Sequence, residues 1–118
     1  MTKFGNIPTP RGGYKFASKK EAERYSQLLL LLAAGEISDL EVHPKYVLQP
    51  SFKVGKATRR KIEYVGDFRY RENGRVVVED VKGWDERKRE FRTTAVFDMK
   101  AKMLEYNYPE IELRIVAA

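Results

Sequence analysis

The sequence predicts one small α/β or α+β domain built on a mixed sheet with helices packed against it. Three observations carry this. The chain has 118 residues, long enough for a single core and too short for two, so residues 1–118 form one domain. Hydrophobic residues reach 42% beside 34% charged residues, which fits a folded core under a highly charged surface and not a disordered chain. Hydrophobic spacing alternates between a period near 3.6 and a period of two, in the order helix, strand, strand, strand, helix, strand.

Taken in order, residues 1–13 carry Pro8, Pro10, Gly12 and Gly13 and read as a flexible N-terminal arm. Ser18 followed by Glu21 fits a capping box. Tyr25, Leu28, Leu29 and Leu32 then recur at helical spacing, and Gly35 reads as a stop. A helix is expected over 18–34. Residues 39–49 are strand-like but interrupted by Pro44, which suggests a short or edge strand. Residues 60–71 alternate and are rich in aromatic and β-branched types. Asn73-Gly74 signals a two-residue hairpin turn into a valine-rich strand over 75–82. A helical pattern is expected over 88–106, with Phe91, Ala95, Phe97, Met99, Met103 and Leu104 apolar and Pro109 closing it. Ile111 to Val116 alternates as a last strand.

The charge and residue inventory narrows the chemistry. Lysine and arginine outnumber acids 23 to 17, a net charge of +6, which suggests an anionic partner, with nucleic acid ahead of an acidic membrane surface. There is no cysteine, so disulfides, thiolate nucleophiles and cysteine zinc sites are excluded. One histidine, His43, argues against histidine-rich metal sites and a Ser-His-Asp triad. A metal here is expected to be a hard cation held by carboxylates. The polar N-terminus does not read as a signal peptide, and the longest apolar run, Leu28 to Ala34, is far shorter than the ~20 residues of a membrane span. A cytoplasmic protein without membrane contact is the expectation.

The hairpin concentrates charge. With Asn73 and Gly74 as the central turn residues and no bulge, Glu72 faces Arg75, Phe68 faces Glu79 and Asp67 faces Asp80. Opposed residues share a face, with Cβ atoms ~5 Å apart. Lys82 lies two residues beyond Asp80 on the same face, and Glu79 points to the other. Two carboxylates and a lysine on one face suit a divalent cation such as Mg²⁺ acting on a phosphodiester. The simpler reading is a surface salt-bridge cluster. Glu21 is in line with the apolar stripe of the first helix, so it caps that helix, points into a site, or does both.

Asp67 followed after a short hairpin by Asp80-Val81-Lys82 resembles the PD-(D/E)XK nuclease superfamily. Phe16-Ala17-Ser18-Lys19-Lys20-Glu21-Ala22-Glu23, Val42-His43-Pro44, Gly66-Asp67-Phe68 and Val78-Glu79-Asp80-Val81-Lys82-Gly83 together look like a small phage and prophage nuclease family of the Holliday-junction-resolvase type. The N-terminal nuclease subunits of some transposases share this layout. The resemblance covers about residues 14–116.

It implies a restriction-endonuclease-like fold with a mixed sheet of four or more strands. It implies an endonuclease that hydrolyses DNA phosphodiesters at branched DNA such as Holliday junctions, with Mg²⁺ as cofactor and Mn²⁺ able to substitute. By the same resemblance Glu21, Asp67 and Asp80 are metal-site carboxylates and Lys82 is the catalytic lysine. Cutting two symmetric strands implies a homodimer, and a phage or prophage origin would place the protein in a bacterial host cytoplasm.

Relatives commonly carry Gln-Pro where this chain has His43-Pro44, and Gly66 stands in place of the superfamily's usual proline before the first aspartate, a proline that is often missing. His43 reads more simply as a packed or solvent-facing strand residue. Arg87, Lys88 and Arg89, together with Lys100 on the second helix, are candidates for DNA phosphate contacts. The run Lys56, Arg59, Arg60 and Lys61 reads as a solvated face, and Trp84 as packing. The alternative to an enzyme is a non-catalytic nucleic-acid-binding module on a nuclease-like fold.

Overall fold

The structure is a computed structural model that describes residues 9–11 and 13–117. In chain order its elements are β1 (Thr9–Arg11), β2 (Tyr14–Phe16), α1 (Lys19–Ala33), β3 (Ser38–Val42), β4 (Lys45–Gln49), β5 (Phe52–Val54), β6 (Ala57–Arg59), β7 (Ile62–Val65), β8 (Phe68–Glu72), β9 (Arg75–Lys82), β10 (Trp84–Asp85), β11 (Glu90–Phe91), α2 (Ala95–Asn107) and β12 (Glu112–Ala117). The fold is α+β. Its central sheet has the order β12-β9-β8-β3, with β12 parallel to β9 and the other neighbours antiparallel. A mixed four-stranded sheet with two helices is compatible with a restriction-endonuclease-like fold.

β9 is the central strand, and Val77 through Asp80 are all buried. Val77 joins Phe16, Ala22, Tyr25, Leu28, Ile37, Phe68 and Tyr70 in the core under α1. Its neighbour Val78 joins Leu48, Tyr64, Leu104 and Ile111 in a second core under α2. The alternation of a strand therefore feeds two cores, one on each face of the sheet.

α1 follows from its caps. The Ser18 hydroxyl accepts the Glu21 N–H at 3.3 Å. At the other end Gly35 (φ +78°) lets its own N–H reach Leu32 O (3.1 Å) and the Glu36 N–H reach Leu31 O (3.0 Å), a Schellman closure. The buried ridge differs from the expected stripe. Ala22, Tyr25 and Leu28 are buried and Leu31 packs beside them, whereas Leu29 and Leu32 are each 38% exposed. The helix rests on one sheet face only, and an i, i+3 ridge is enough to cover it.

The two long expected strands are each broken in two. Residues 39–49 divide into β3 and β4, and residues 60–71 into β7 and β8, at points that face each other. The His43 N–H bonds Asp67 O and the Gly66 N–H bonds Pro44 O, both at 2.9 Å. β3 stays with β8 in the central sheet, while β4 pairs with β7 in a separate ladder. Glycine is required at 66 because a Cβ there would lie 2.8 Å from Val78 Cγ1.

The hairpin turns as the Asn-Gly signal requires, with Asn73 (φ +51°) and Gly74 (φ +76°) both left-handed. The register Glu72↔Arg75, Tyr70↔Val77, Phe68↔Glu79 matches expectation. The ladder stops there, and Asp67 does not pair with Asp80. The Asp67 N–H bonds Glu79 O at 2.9 Å instead, and its Oδ2 accepts the Val81 N–H at 2.7 Å. A carboxylate replaces a main-chain acceptor and ends the strand.

The expected helix over 88–106 begins later. Residues 84–91 form the β10–β11 hairpin, and α2 starts at Ala95 behind the N-cap Thr94, whose Oγ1 accepts the Phe97 N–H at 3.0 Å. Three consecutive cations at 87–89 oppose a first helical turn, which prefers acids. Asp85 Oδ1 captures the Lys88 N–H at 3.1 Å, and Arg89 is left-handed (φ +55°). Residues 1–8 and 12 of the expected arm lie outside the described residues, and Thr9–Arg11 pairs antiparallel with β2. The β5–β6 hairpin has no counterpart in the sequence reading.

Candidate metal centre

The break between β3 and β4 and the break between β7 and β8 set the geometry of the site. At that corner His43 is left-handed (φ +55°), out of both strands, and its N–H is tied to the Asp67 carbonyl. The N-terminal turn of α1 brings Glu21 to the same place. Ligand-capable atoms of Glu21, His43 and Asp67 all lie within 4.8 Å of one another. The Glu21 carboxyl is pushed up to about 7, first by burial and then by the Asp67 charge, while Lys82 acts in the opposite direction. Its Oε2 also receives the Ser18 hydroxyl at 3.4 Å, so Glu21 serves the cap and the site together.

Asp80 and Lys82 adjoin this trio. Asp67 Oδ2 accepts from Val81, the residue between them. Asp80 is 4% exposed, and burial pushes its carboxyl up to about 6 against the pull of Lys82. Its Oδ1 lies 3.8 Å from Lys82 Nζ, and its buried Oδ2 has no hydrogen-bond partner among the described residues. Lys82 Nζ also sits 4.2 Å from the centre of the Phe97 ring, a cation–π contact that confines the ammonium.

Of the four expected site residues, Glu21 and Asp67 lie in direct proximity, Lys82 acts on the Glu21 carboxyl, and Asp80 lies beside Lys82. His43, which the sequence favours as a packed or solvent-facing strand residue, lies with Glu21 and Asp67 instead. Its signal is the proline that follows it, since a residue before proline inside a strand marks a departure from the ladder. Arg87, Lys88 and Arg89 are exposed in the β10–β11 turn, and among the described residues no side-chain hydrogen bond or ion pair ties them to the cluster. Lys100, half-buried, lies one turn beyond Phe97 on α2.

The scaffold behind the site is a buried ion pair. Arg24, one turn after Glu21, grips Glu79 with two bonds, Nε to Oε1 at 2.8 Å and Nη2 to Oε2 at 2.7 Å. The Tyr70 hydroxyl donates to the same carboxylate and receives Arg114 Nη1 at 3.3 Å. Glu79 therefore anchors α1 through its side chain and Asp67 through its carbonyl.

The family described as "Protein of unknown function (DUF1064)" matches residues 1–118. The chain belongs to that family. No curated protein and no solved structure matches it. Among the described residues no helix is long and apolar enough to cross a membrane.

Proposed function

We propose that this chain is a metal-dependent DNA endonuclease that hydrolyses phosphodiester bonds. The observation that carries the reading is the convergence of Glu21, His43 and Asp67 within 4.8 Å beside Asp80 and Lys82. A divalent cation fits this set. Carboxylates without a cation repel one another, and a buried oxygen without a partner, such as Asp80 Oδ2, is costly. Glu21, Asp67 and His43 would hold the ion, with Asp80 alongside. When bound, it supplies a water of lowered pKa and charge stabilisation on the phosphate.

The chain's own groups do the rest. Lys82, aligned by Asp80 and Phe97, offsets the negative charge that grows on the phosphate. Glu21, deprotonated as a ligand, adds negative charge that helps to hold the cation. The imidazole of His43 favours Mn²⁺ over Mg²⁺ relative to an all-carboxylate set. Branched DNA as substrate and a homodimer as working unit follow from the resemblance to junction resolvases, and the exposed Leu29, Leu30 and Leu32 of α1 offer an apolar face for a second copy.

One panel tests the reading: linear duplex, single strand, flap and four-way junction, with Mg²⁺, with Mn²⁺ and with chelator. Cleavage that requires metal, prefers the junction, and disappears in Asp67→Asn, Asp80→Asn and Lys82→Ala is expected. Full cleavage by Asp80→Asn would sink it. Salt-sensitive binding with no cleavage under any metal would favour the non-catalytic binding module.

A further inference from the structure

The β5–β6 hairpin has features that the fold does not need. Every residue from Phe52 to Arg59 is exposed. The two strands pair only with each other, over three rungs: Phe52↔Arg59, Lys53↔Thr58 and Val54↔Ala57. A two-stranded ribbon of this kind is marginal in water by itself. Exposed Phe52 and Val54 add no burial to either core.

Its charge is one-sided. Residues 51–61 hold Lys53, Lys56, Arg59, Arg60 and Lys61 and no acid, in a chain whose net charge is +6. Lys61 is drawn to Glu63 at 3.4 Å. Among the described residues no carboxylate pairs with Lys53, Lys56, Arg59 or Arg60. The rungs place the cations on both faces of the ribbon, since Arg59 is opposite Phe52 while Lys53 is one position along and points the other way. A flat anionic surface would be met by one face alone. A groove with phosphates on either side meets both, and the major groove of duplex DNA, ~12 Å wide, admits a two-stranded β-ribbon.

The ribbon also stands at a useful distance. β4 and β7 run from the His43–Asp67 corner to its base, and the stretch from His43 to Gln49 spans about 20 Å. A ribbon there reaches a duplex several base pairs away from a phosphate held at the metal centre.

We propose that the β5–β6 hairpin is a second DNA-contact surface that grips the phosphates flanking a groove of the duplex arm, independent of base sequence. This rests on the nuclease reading. The test is fluorescence anisotropy of the full chain with a labelled 30-base-pair duplex in chelator, from 50 to 200 mM salt. Wild type is compared with the quadruple variant Lys53→Gln, Lys56→Gln, Arg59→Gln, Arg60→Gln and with Lys56→Glu alone. Mn²⁺ calorimetry on each protein reports whether the metal centre is intact.

The quadruple variant is expected to bind at least tenfold more weakly at 150 mM salt. Its log K against log salt plot should flatten by roughly 0.9 for each phosphate that the variant no longer neutralises. Lys56→Glu should show a smaller weakening in the same direction, with Mn²⁺ affinity unchanged in both variants. Equal affinity and slope in wild type and quadruple variant would overturn the hairpin proposal and leave the nuclease reading standing. A wild type that binds neither this duplex nor a four-way junction would overturn both. Weakened binding of the quadruple variant to phosphatidylserine vesicles, with DNA binding intact, would assign the ribbon to a membrane and overturn the proposal.

Discussion

Glu79 and Asp80 are consecutive acids on one strand, both buried, and they are treated in opposite ways. Glu79 is fully enclosed and fully partnered, with two bonds from Arg24 and one from the Tyr70 hydroxyl. Asp80 points to the other face and keeps a lysine at 3.8 Å and an oxygen with no partner among the described residues. The same chemistry, shifted by one residue, gives a structural pin on one side of the sheet and an unsatisfied group on the other. The fold satisfies one buried acid completely and leaves an oxygen of its neighbour without a partner among the described residues.

The largest effect should come from the satisfied side. Arg24→Met leaves the Glu79 charge enclosed and uncompensated, and removing one partner of a buried pair costs ~3–5 kcal/mol. Chemical denaturation should show that drop, with only partial recovery in Arg24→Lys, which cannot reproduce the two-bonded fork.

Asp80→Asn should move stability the other way. The folded carboxyl is raised from 3.8 to about 6. Between those values the folded state binds more protons at this group than the unfolded state, so the Asp80 contribution to metal-free stability falls as pH rises from about 4 to about 6 and stays low above. Asp80→Asn removes this dependence and is expected to gain on the order of 1–3 kcal/mol at pH 8, while Mn²⁺ binding weakens. Denaturation at pH 4 and pH 8, with calorimetry on the same samples, separates the contrast. A destabilised Asp80→Asn at pH 8 would place Asp80 with Glu79 as a structural acid.

Gly66→Ala tests the corner that joins the two regions. The added methyl collides with Val78, and overpacking of this kind costs ~1–3 kcal/mol. His43→Gln should have the smallest effect on stability, within ~0.5 kcal/mol as for most surface changes. It should weaken Mn²⁺ about tenfold and leave Mg²⁺ nearly unchanged. In the unsubstituted protein Mn²⁺ affinity should rise from pH 6 to pH 8, because the Glu21 carboxyl, near 7 without metal, must lose its proton to become a ligand.

What is legible in the sequence is local. Ser18 and Gly35 mark the ends of α1, and Asn73-Gly74 sets a hairpin register that holds to Phe68↔Glu79. These features depend on residues a few positions apart. The direct opposition of Asp67 and Asp80 extends that register one step too far, because the Asp67 side chain takes the Val81 N–H and closes the ladder. The start of α2 is misread because apolar spacing at Phe91 continues the helical pattern, while Asp85 and Arg89 shape a turn that periodicity does not register. His43 escapes for the same kind of reason. Its proximity to Glu21 depends on two strand breaks lining up across a ladder, which no one-dimensional pattern contains.

The ion pair that fixes α1 joins residues 55 positions apart. Glu21 arrives early in synthesis and Asp80 and Lys82 much later, and the parallel partner of β9, β12, later still. The corner therefore cannot assemble before β9 has been made. A ribosome-bound fragment that lacks β9 and β12 has neither Asp80 nor Lys82, nor the Glu79 pin that seats α1. On the nuclease reading, a chain able to cut DNA is in this way silent until β9 has been made.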